Sequence, residues 1–402
     1  MSAAASGATG GSGGSGESGV APLRVSLDVS AVPVRPAGAG HYIVQLAGQL
    51  AARPDVDLVL WSRTDDRDRW APLVASGDLG ASAPGPRPLR LVWEQLRLGP
   101  LVSASGAAVH HGPHYTMPRN PSVPTVVTVH DLSFFDAPEW HERSKVALFR
   151  RAIRRAARRA TVVVCPSQVT ADALRTWCTV DAEVVVAPHG VDTVRFRPDE
   201  PVPGSDAGLL AGLDPRLTTE RPFLVFVGTL EPRKDVPTLV RAFATVATAH
   251  PEALLVLAGG RGWGGDQVDA AVAASGLPGR VVQTGYVDDD VIPALLRTAT
   301  AAVYPSLYEG FGMPALEALA CGTTLVTTSG TAMHEVAGDS ALLVPPGDQA
   351  ALADVLDVVL TGRGDDRASS ERRAIGFGIV DRHTWAASAD LHVAAYRSAA
   401  GR

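Results

Sequence analysis

The chain has 402 residues, with 36 Lys and Arg against 42 Asp and Glu, and its formal net charge of −6 argues against a general nucleic-acid binder. Hydrophobic residues at 46% and charged residues at 19% suit a globular protein with sizeable cores, and the length suits two or three domains. Cys165, Cys178 and Cys321 are too few and too scattered for a disulfide framework or a zinc site, so each reads as a buried thiol in a reducing compartment.

Residues 1–22 read as a disordered tail. Met1 to Gly19 are Gly, Ser and Ala apart from single Met, Thr and Glu residues, with no basic or apolar region of a secretory leader. No later run approaches the roughly 20 apolar residues needed to span a bilayer, so a cytoplasmic protein is expected. From Leu23 short β-branched runs alternate with helical segments, the pattern of α/β layers. Strands are predicted at 23–29, 57–61, 107–111, 125–130, 161–166 and 182–187. Pro36 to Gln45 joins the first strand to a helix. Its Gly38-Ala39-Gly40 is a weak ligand signal, and Gly40 serves either as an amide donor or as a plain tight turn.

The run Val126 to Phe134 carries His130 and Asp131 at the carboxyl end of a strand, where sites gather in such sheets. A lone His there is commonly structural. Asp131 orients the imidazole, shapes an acceptor pocket, or caps the next helix. Arg143 to Arg159 is a helical pattern with Arg pairs recurring every fourth residue, hence on one face. Such a face is either simply solvated or docks on anionic lipid.

The N-terminal domain is placed at 23–195, and a Pro, Gly, Asp and Thr-rich connection at 196–221. The rhythm then restarts over 222–378, with strands at 223–227, 253–258, 280–284, 301–305, 324–327 and 341–344. Helices are predicted at 237–250, 265–274, 289–298, 314–320 and 349–360. An amphipathic helix over 379–402 follows. In Phe226 to Leu239, a strand ends at Gly228 and the following loop carries Arg233 and Lys234, cations suited to a diphosphate. Tyr286 and Val287 follow the strand ending at Gly285; Asp288, Asp289 and Asp290 read as capping and surface charge. In Pro305 to Gly322, a glycine-bearing loop meets a helix starting at Pro314. Loop amides at a helix N-terminus make an anion site, and Glu309 and Glu317 flank it. The combination suits a ligand with both phosphates and hydroxyls, such as a nucleotide sugar.

Pro305 to Gly322 also resembles the Glu-x7-Glu signature of the retaining glycosyltransferases of family 4, and every fixed position of that signature is met. The resemblance implies a GT-B fold, two Rossmann-like domains facing across a cleft, with the last helix crossing back to the first domain. It implies that Glu309 contacts the donor sugar, Glu317 the ribose, and the amides of Phe311, Gly312 and Met313 the donor. It assigns Arg233 and Lys234 to the pyrophosphate, His130 to the reacting carbon, and Gly228, Gly310, Tyr286 and Val287 to the donor's surroundings. Relatives often place Arg directly after the glycine where this chain has Thr229, and Arg where it has His41. The implied donor is a nucleotide sugar, with GDP-mannose favoured by the Gly-Thr-Leu-Glu-Pro-Arg-Lys phrasing. UDP-glucose, N-acetylhexosamine and dTDP-rhamnose donors are alternatives. A glycan or lipid-linked acceptor is implied, and no metal or other cofactor is expected. Two rival classes were weighed. A nicotinamide oxidoreductase would want Gly-x-Gly-x-x-Gly straight after a strand, which no strand here has. A catalytically idle sugar-nucleotide binder would not need Glu309, Lys234 and His130 intact.

Overall fold

The computed structural model describes residues 21–75, 78–362 and 366–401. The tail expected over 1–22 lies, but for its last two residues, outside them. Two six-stranded sheets, parallel throughout, make the frame. The first comprises β1 (Leu23–Asp28), β2 (Val56–Trp61), β3 (Val109–Gly112), β4 (Thr125–Thr128), β5 (Val162–Cys165) and β6 (Glu183–Val186), in the order β2-β1-β3-β4-β5-β6. The second comprises β7 (Phe223–Val227), β8 (Leu254–Ala258), β9 (Val281–Gly285), β10 (Ala301–Tyr304), β11 (Leu325–Thr328) and β12 (Ala341–Val344), in the order β12-β11-β10-β7-β8-β9. The near-continuous Val and Leu runs follow from burial of both faces under crossover helices. In each sheet the order reverses at one place, between β1 and β3 and between β7 and β10. Loops at the carboxyl ends of those strands diverge there and leave a crevice.

The connection expected over 196–221 is not plain coil. Ser205–Leu213 forms a helix, held because Asp206 takes a bidentate pair from Arg297 at 2.7 Å on both sides. The expected C-terminal helix is two, Asp366–Arg382 and Trp385–Ala399. The first packs on the second domain and the last on the first domain, where Trp385, Ala389, Val393 and Tyr396 join Val25, Leu27, Tyr42 and Leu46 in one core.

A buried relay fastens that last helix. His392 Nδ1 lies 2.7 Å from the Ser388 carbonyl and must carry the proton, so His392 Nε2 accepts from Tyr42 Oη at 2.8 Å. Tyr42 in turn accepts from Thr128 Oγ1 at 2.9 Å, Thr128 from His111 Nε2 at 2.8 Å, and His111 Nδ1 from Tyr396 Oη at 2.7 Å. Every donor has one acceptor, and the histidines are neutral. Burial lowers His111 well below its ordinary range, His392 to about 4, and His110 and His114 to about 3. The unfolded chain takes up these protons near its ordinary pKa of about 6.5. The stabilisation that these histidines contribute should therefore be full above pH 6.5 and fall as pH drops toward the folded values. The loss should reach about 1–2 kcal/mol per such histidine by pH 5. Guanidinium unfolding of wild type beside His111→Gln checks this: the gap between their midpoints should narrow from pH 7.5 to pH 5, and an unchanged gap would contradict it.

Candidate active site

The two domains face each other across a cleft of about 790 Å³, lined at one side by loops after β1, β3 and β4 and at the other by loops after β7, β9 and β10. The β7 and β10 loops meet because their strands are neighbours at the switch point, and the Leu307 amide donates to the Arg233 carbonyl at 2.8 Å. Glu309 is brought under both cations of the β7 loop. Lys234 Nζ donates to Glu309 Oε1 at 2.9 Å, Arg233 pairs with Oε2, and Ser306 Oγ donates to Oε1 at 3.2 Å. Burial alone would raise the Glu309 carboxyl; Arg233 and Lys234 outweigh it and hold it down at about 2. Arg233 Nε donates to Glu231 at 2.8 Å and Nη1 to the Tyr308 carbonyl at 3.3 Å. Its Nη2 and the remaining Lys234 protons keep their donor capacity for an anion at this end of the cleft. Glu231, inside the Gly-Thr-Leu-Glu-Pro-Arg-Lys run, was overlooked as the residue that sets the Arg233 fork.

The helix Met313–Ala320 opens on Gly312, at φ 121°, and its first turn points at the same place. The Phe311, Gly312 and Met313 amides have no acceptor among the described residues. Glu317, one turn further, lines the cleft; burial pushes its carboxyl up to about 7, against Arg195 and Lys234 nearby. Gly228 lines the cleft beside Lys234. Tyr286 is half exposed and its ring takes the Arg35 guanidinium from the opposite domain at 5.0 Å, whereas the Val287 side chain is buried, leaving its backbone at the cleft wall.

From the first domain, His130 reaches the cleft between Tyr42 and Tyr115, both edge-on at 5.2 and 5.4 Å between ring centres. Its Nε2 donates to the Pro113 carbonyl at 2.8 Å, so Nδ1 carries a lone pair with no partner among the described residues. Burial keeps the ring neutral. Asp131 accepts from the Ser133 amide at 3.0 Å, from Ser133 Oγ at 2.6 Å and from Tyr115 Oη at 3.1 Å, a loop-fixing role that also keeps its carboxylate on the cleft. Tyr115 holds φ 64°, a left-handed backbone rare outside glycine and typical of strained sites.

The expectation for Gly40 changes, and Gly310, which lines the cleft, has a second role. The Gly40 amide donates to the Ala37 carbonyl at 2.9 Å and the residue packs on Pro33 and Pro36, so it is a turn residue and offers nothing to a ligand. Gly310 serves the neighbouring domain: a Cβ there would lie 1.8 Å from the His130 carbonyl oxygen. Its own carbonyl accepts from Ser167 Oγ at 2.7 Å and Thr170 Oγ1 at 2.9 Å. Glu335 caps a helix of the other domain. Its two oxygens accept from the amides of Gln168 and Val169 at 2.7 and 2.8 Å. The basic helix Arg143–Arg159 is present, with part of its charge used internally. Arg150 donates to the Phe134 carbonyl, Arg154 lies over Phe135, and Arg155 binds carbonyls of Met117, Pro118 and Arg119.

Facing doubly wound domains with an acid, two cations and a helix N-terminus around one crevice define a sugar-transferring enzyme of the GT-B fold. The sequence matches the Glycosyltransferase Family 4 domain over residues 36–195 and the Glycosyl transferases group 1 domain over residues 214–376. It is similar to O-antigen chain mannosyltransferase B of Escherichia coli, 28% identical over 290 residues, 72% of this chain and 74% of that one. It is also similar to the MMP alpha-(1->4)-mannosyltransferase of Mycolicibacterium hassiacum, 29% identical over 295 residues, 69% of this chain and 66% of that one. The sucrose-phosphate synthase of Thermosynechococcus elongatus superposes with a TM-score of 0.73 at 22% identity, covering 93% of this chain and 98% of that one. The chain is a family 4 glycosyltransferase of GT-B fold, mannosyltransferase-like in sequence. Among the described residues no helix is long and apolar enough to cross a membrane.

Proposed function

We propose that the enzyme moves a hexose, mannose from GDP-mannose first among candidates, onto a glycan or lipid-linked acceptor with retention of anomeric configuration. One observation carries the reading: Arg233 and Lys234 converge on Glu309 at the end of a cleft whose other wall presents His130. In this reading the diphosphate takes the free donors of Arg233 and Lys234 and the amides of Phe311, Gly312 and Met313. No metal is assigned a part. Glu309 accepts from hydroxyls of the donor sugar, and His130 Nδ1 accepts from a donor-sugar hydroxyl close to the anomeric carbon. The acceptor oxygen bonds to the anomeric carbon as the bond from that carbon to the diphosphate breaks. The electron pair leaves with the nucleoside diphosphate, which also takes the acceptor's proton from the same face. Charge building on the leaving group meets preset cations, the efficient form of electrostatic stabilisation. Closure of the domains keeps water from competing with the acceptor.

Mannose rests on the similarity to two mannosyltransferases and on the phrasing of the Arg233 loop. Hydrolysis of a panel of GDP-, UDP- and dTDP-sugars tests it. Selective turnover of a UDP- or dTDP-sugar would replace mannose while leaving the transferase, and no turnover of any would remove the catalytic reading. Peripheral binding to anionic membrane is also part of the proposal. It rests on the exposed Arg143, Arg151, Arg158 and Arg159, and on Leu89, Val92 and Leu96, which are exposed on neighbouring turns of the same domain.

Glu317 gives the reading a pH dependence. Below about pH 7 its carboxyl holds a proton and loses an acceptor for the ribose diol. GDP affinity should weaken by up to about tenfold per pH unit below that point, and Glu317→Gln should flatten the profile. A wild-type affinity constant from pH 8 to pH 6 would remove the ribose assignment.

A further inference from the structure

The cleft wall opposite the diphosphate cradle carries positive charge that transfer, as described, leaves unused. Arg87 and Arg90, on the helix Arg87–Trp93, both line the cleft. The other cleft cations are answered: Arg233 by Glu231 and Glu309, Lys234 by Glu309, Arg195 by Asp289, and Lys145 by Glu142. The guanidiniums of Arg87 and Arg90 have no hydrogen bond or ion pair among the described residues. Arg87 instead lies over the Phe149 ring, 5.6 Å from its centre.

The acids nearest Arg90 do not neutralise it. Burial, with Asp28 alongside, pushes the Glu94 carboxyl up to about 8, and Glu94 accepts from Thr116 Oγ1 at 3.0 Å. At neutral pH it therefore carries no counter-charge. Asp28 accepts from the Ser30 amide at 2.9 Å; Arg90 acts on its carboxyl through space, without an ion-pair contact. Asp131 is engaged by Ser133 and Tyr115.

Position relates these guanidiniums to the reaction. The His114 ring lies 5.8 Å from His130 and 5.8 Å from Phe149, centre to centre. Burial first, then His130, Arg90 and Arg87, hold His114 neutral; Arg87 is joined to it through the Phe149 ring, and Arg90 lines the same cleft. The pocket thus has a neutral imidazole at one end and, at the other, two guanidiniums with no carboxylate in contact among the described residues. Planar forks without carboxylate partners match the oxygens of a phosphate, and apolar walls strengthen the attraction.

Building on the transferase reading, we propose that Arg87 and Arg90 bind the phosphate of a phosphorylated acceptor and turn its attacking hydroxyl toward His130. The phosphate belongs to a soluble sugar phosphate or to a lipid-linked glycosyl diphosphate. The test titrates three probes into full-length enzyme saturated with GDP: mannose 1-phosphate, octyl-diphosphate-linked mannose, and octyl mannoside. Wild type should bind at least one phosphorylated probe about tenfold or more tighter than the neutral mannoside. Arg87→Gln and Arg90→Gln should each weaken that binding by about tenfold or more, and Arg90→Lys should restore part of it. Tighter binding of the alkyl diphosphate than of mannose 1-phosphate assigns the lipid-linked source, and the reverse or equality the soluble one. A retained GDP-induced thermal shift shows that a variant is folded. Equal affinity of wild type for phosphorylated and neutral probes, or undiminished phosphate binding in the double glutamine variant, overturns the proposal. Failure of the transferase reading shows separately, as absence of donor hydrolysis by wild type.

Discussion

Replacing Glu309 with glutamine should lower turnover by about a thousandfold, and Lys234→Ala by about a hundred- to a thousandfold. Glu309 is the buried counter-charge of both Arg233 and Lys234. Glutamine keeps its shape but leaves two buried cations aimed at each other, so the cradle should spread and lose its alignment with the sugar. Lys234→Ala instead removes a donor that the leaving diphosphate meets as its charge builds. Because the two residues act as one unit, the double variant should be little worse than the poorer single one. Steady-state kinetics on the preferred donor decide this. Losses that multiply would mean independent roles, and a single variant within about threefold of wild type would remove that residue from the chemistry.

The second large effect is expected at Gly310, which bears no functional group. An added methyl would lie 1.8 Å from the His130 carbonyl oxygen, and that oxygen is backbone and cannot swing aside. Gly310→Ala should therefore hold the lobes apart locally and move His130 away from the donor, with kcat falling about a hundredfold or more. The nucleotide cradle lies almost wholly in the second domain, so GDP affinity should stay within about threefold of wild type. Small-angle scattering should show a more extended particle in the variant with GDP bound. Unchanged kcat would mean that the contact with the His130 carbonyl has no part in turnover.

The strands and most helices were readable before any coordinates because both sheets bury two faces, which leaves unbroken β-branched runs between turn residues. The cradle was readable for a related reason. Arg233, Lys234 and Glu309 lie on the loops that leave β7 and β10, Glu317 lies on the helix that follows, and the switch point brings those strand ends together. What escaped depends on how one domain sits on the other. Nothing local to Glu335 says that its carboxylate caps Gln168 and Val169, and nothing local to Gly310 says that it faces a carbonyl some 180 residues upstream. The helix Ser205–Leu213 was missed because its glycines and scattered leucines show no apolar stripe; the Asp206–Arg297 pair holds it instead. Arg87 and Arg90 stood in a Pro-rich stretch with no motif, and their meaning comes from the lack of any carboxylate in contact with them among the described residues. Gly40 misled because a glycine after a strand serves a turn as readily as a ligand.

The helix Trp385–Ala399 completes the first domain's interior although it is synthesised only after the whole second domain. Until Trp385, Val393 and Tyr396 arrive, the face of the β1 sheet that they cover stays open to solvent, and Tyr42 and His111 lack their partners. A fragment ending near residue 195 should accordingly be insoluble or chaperone-bound. Supplying residues 366–402 as a separate peptide should rescue it in part.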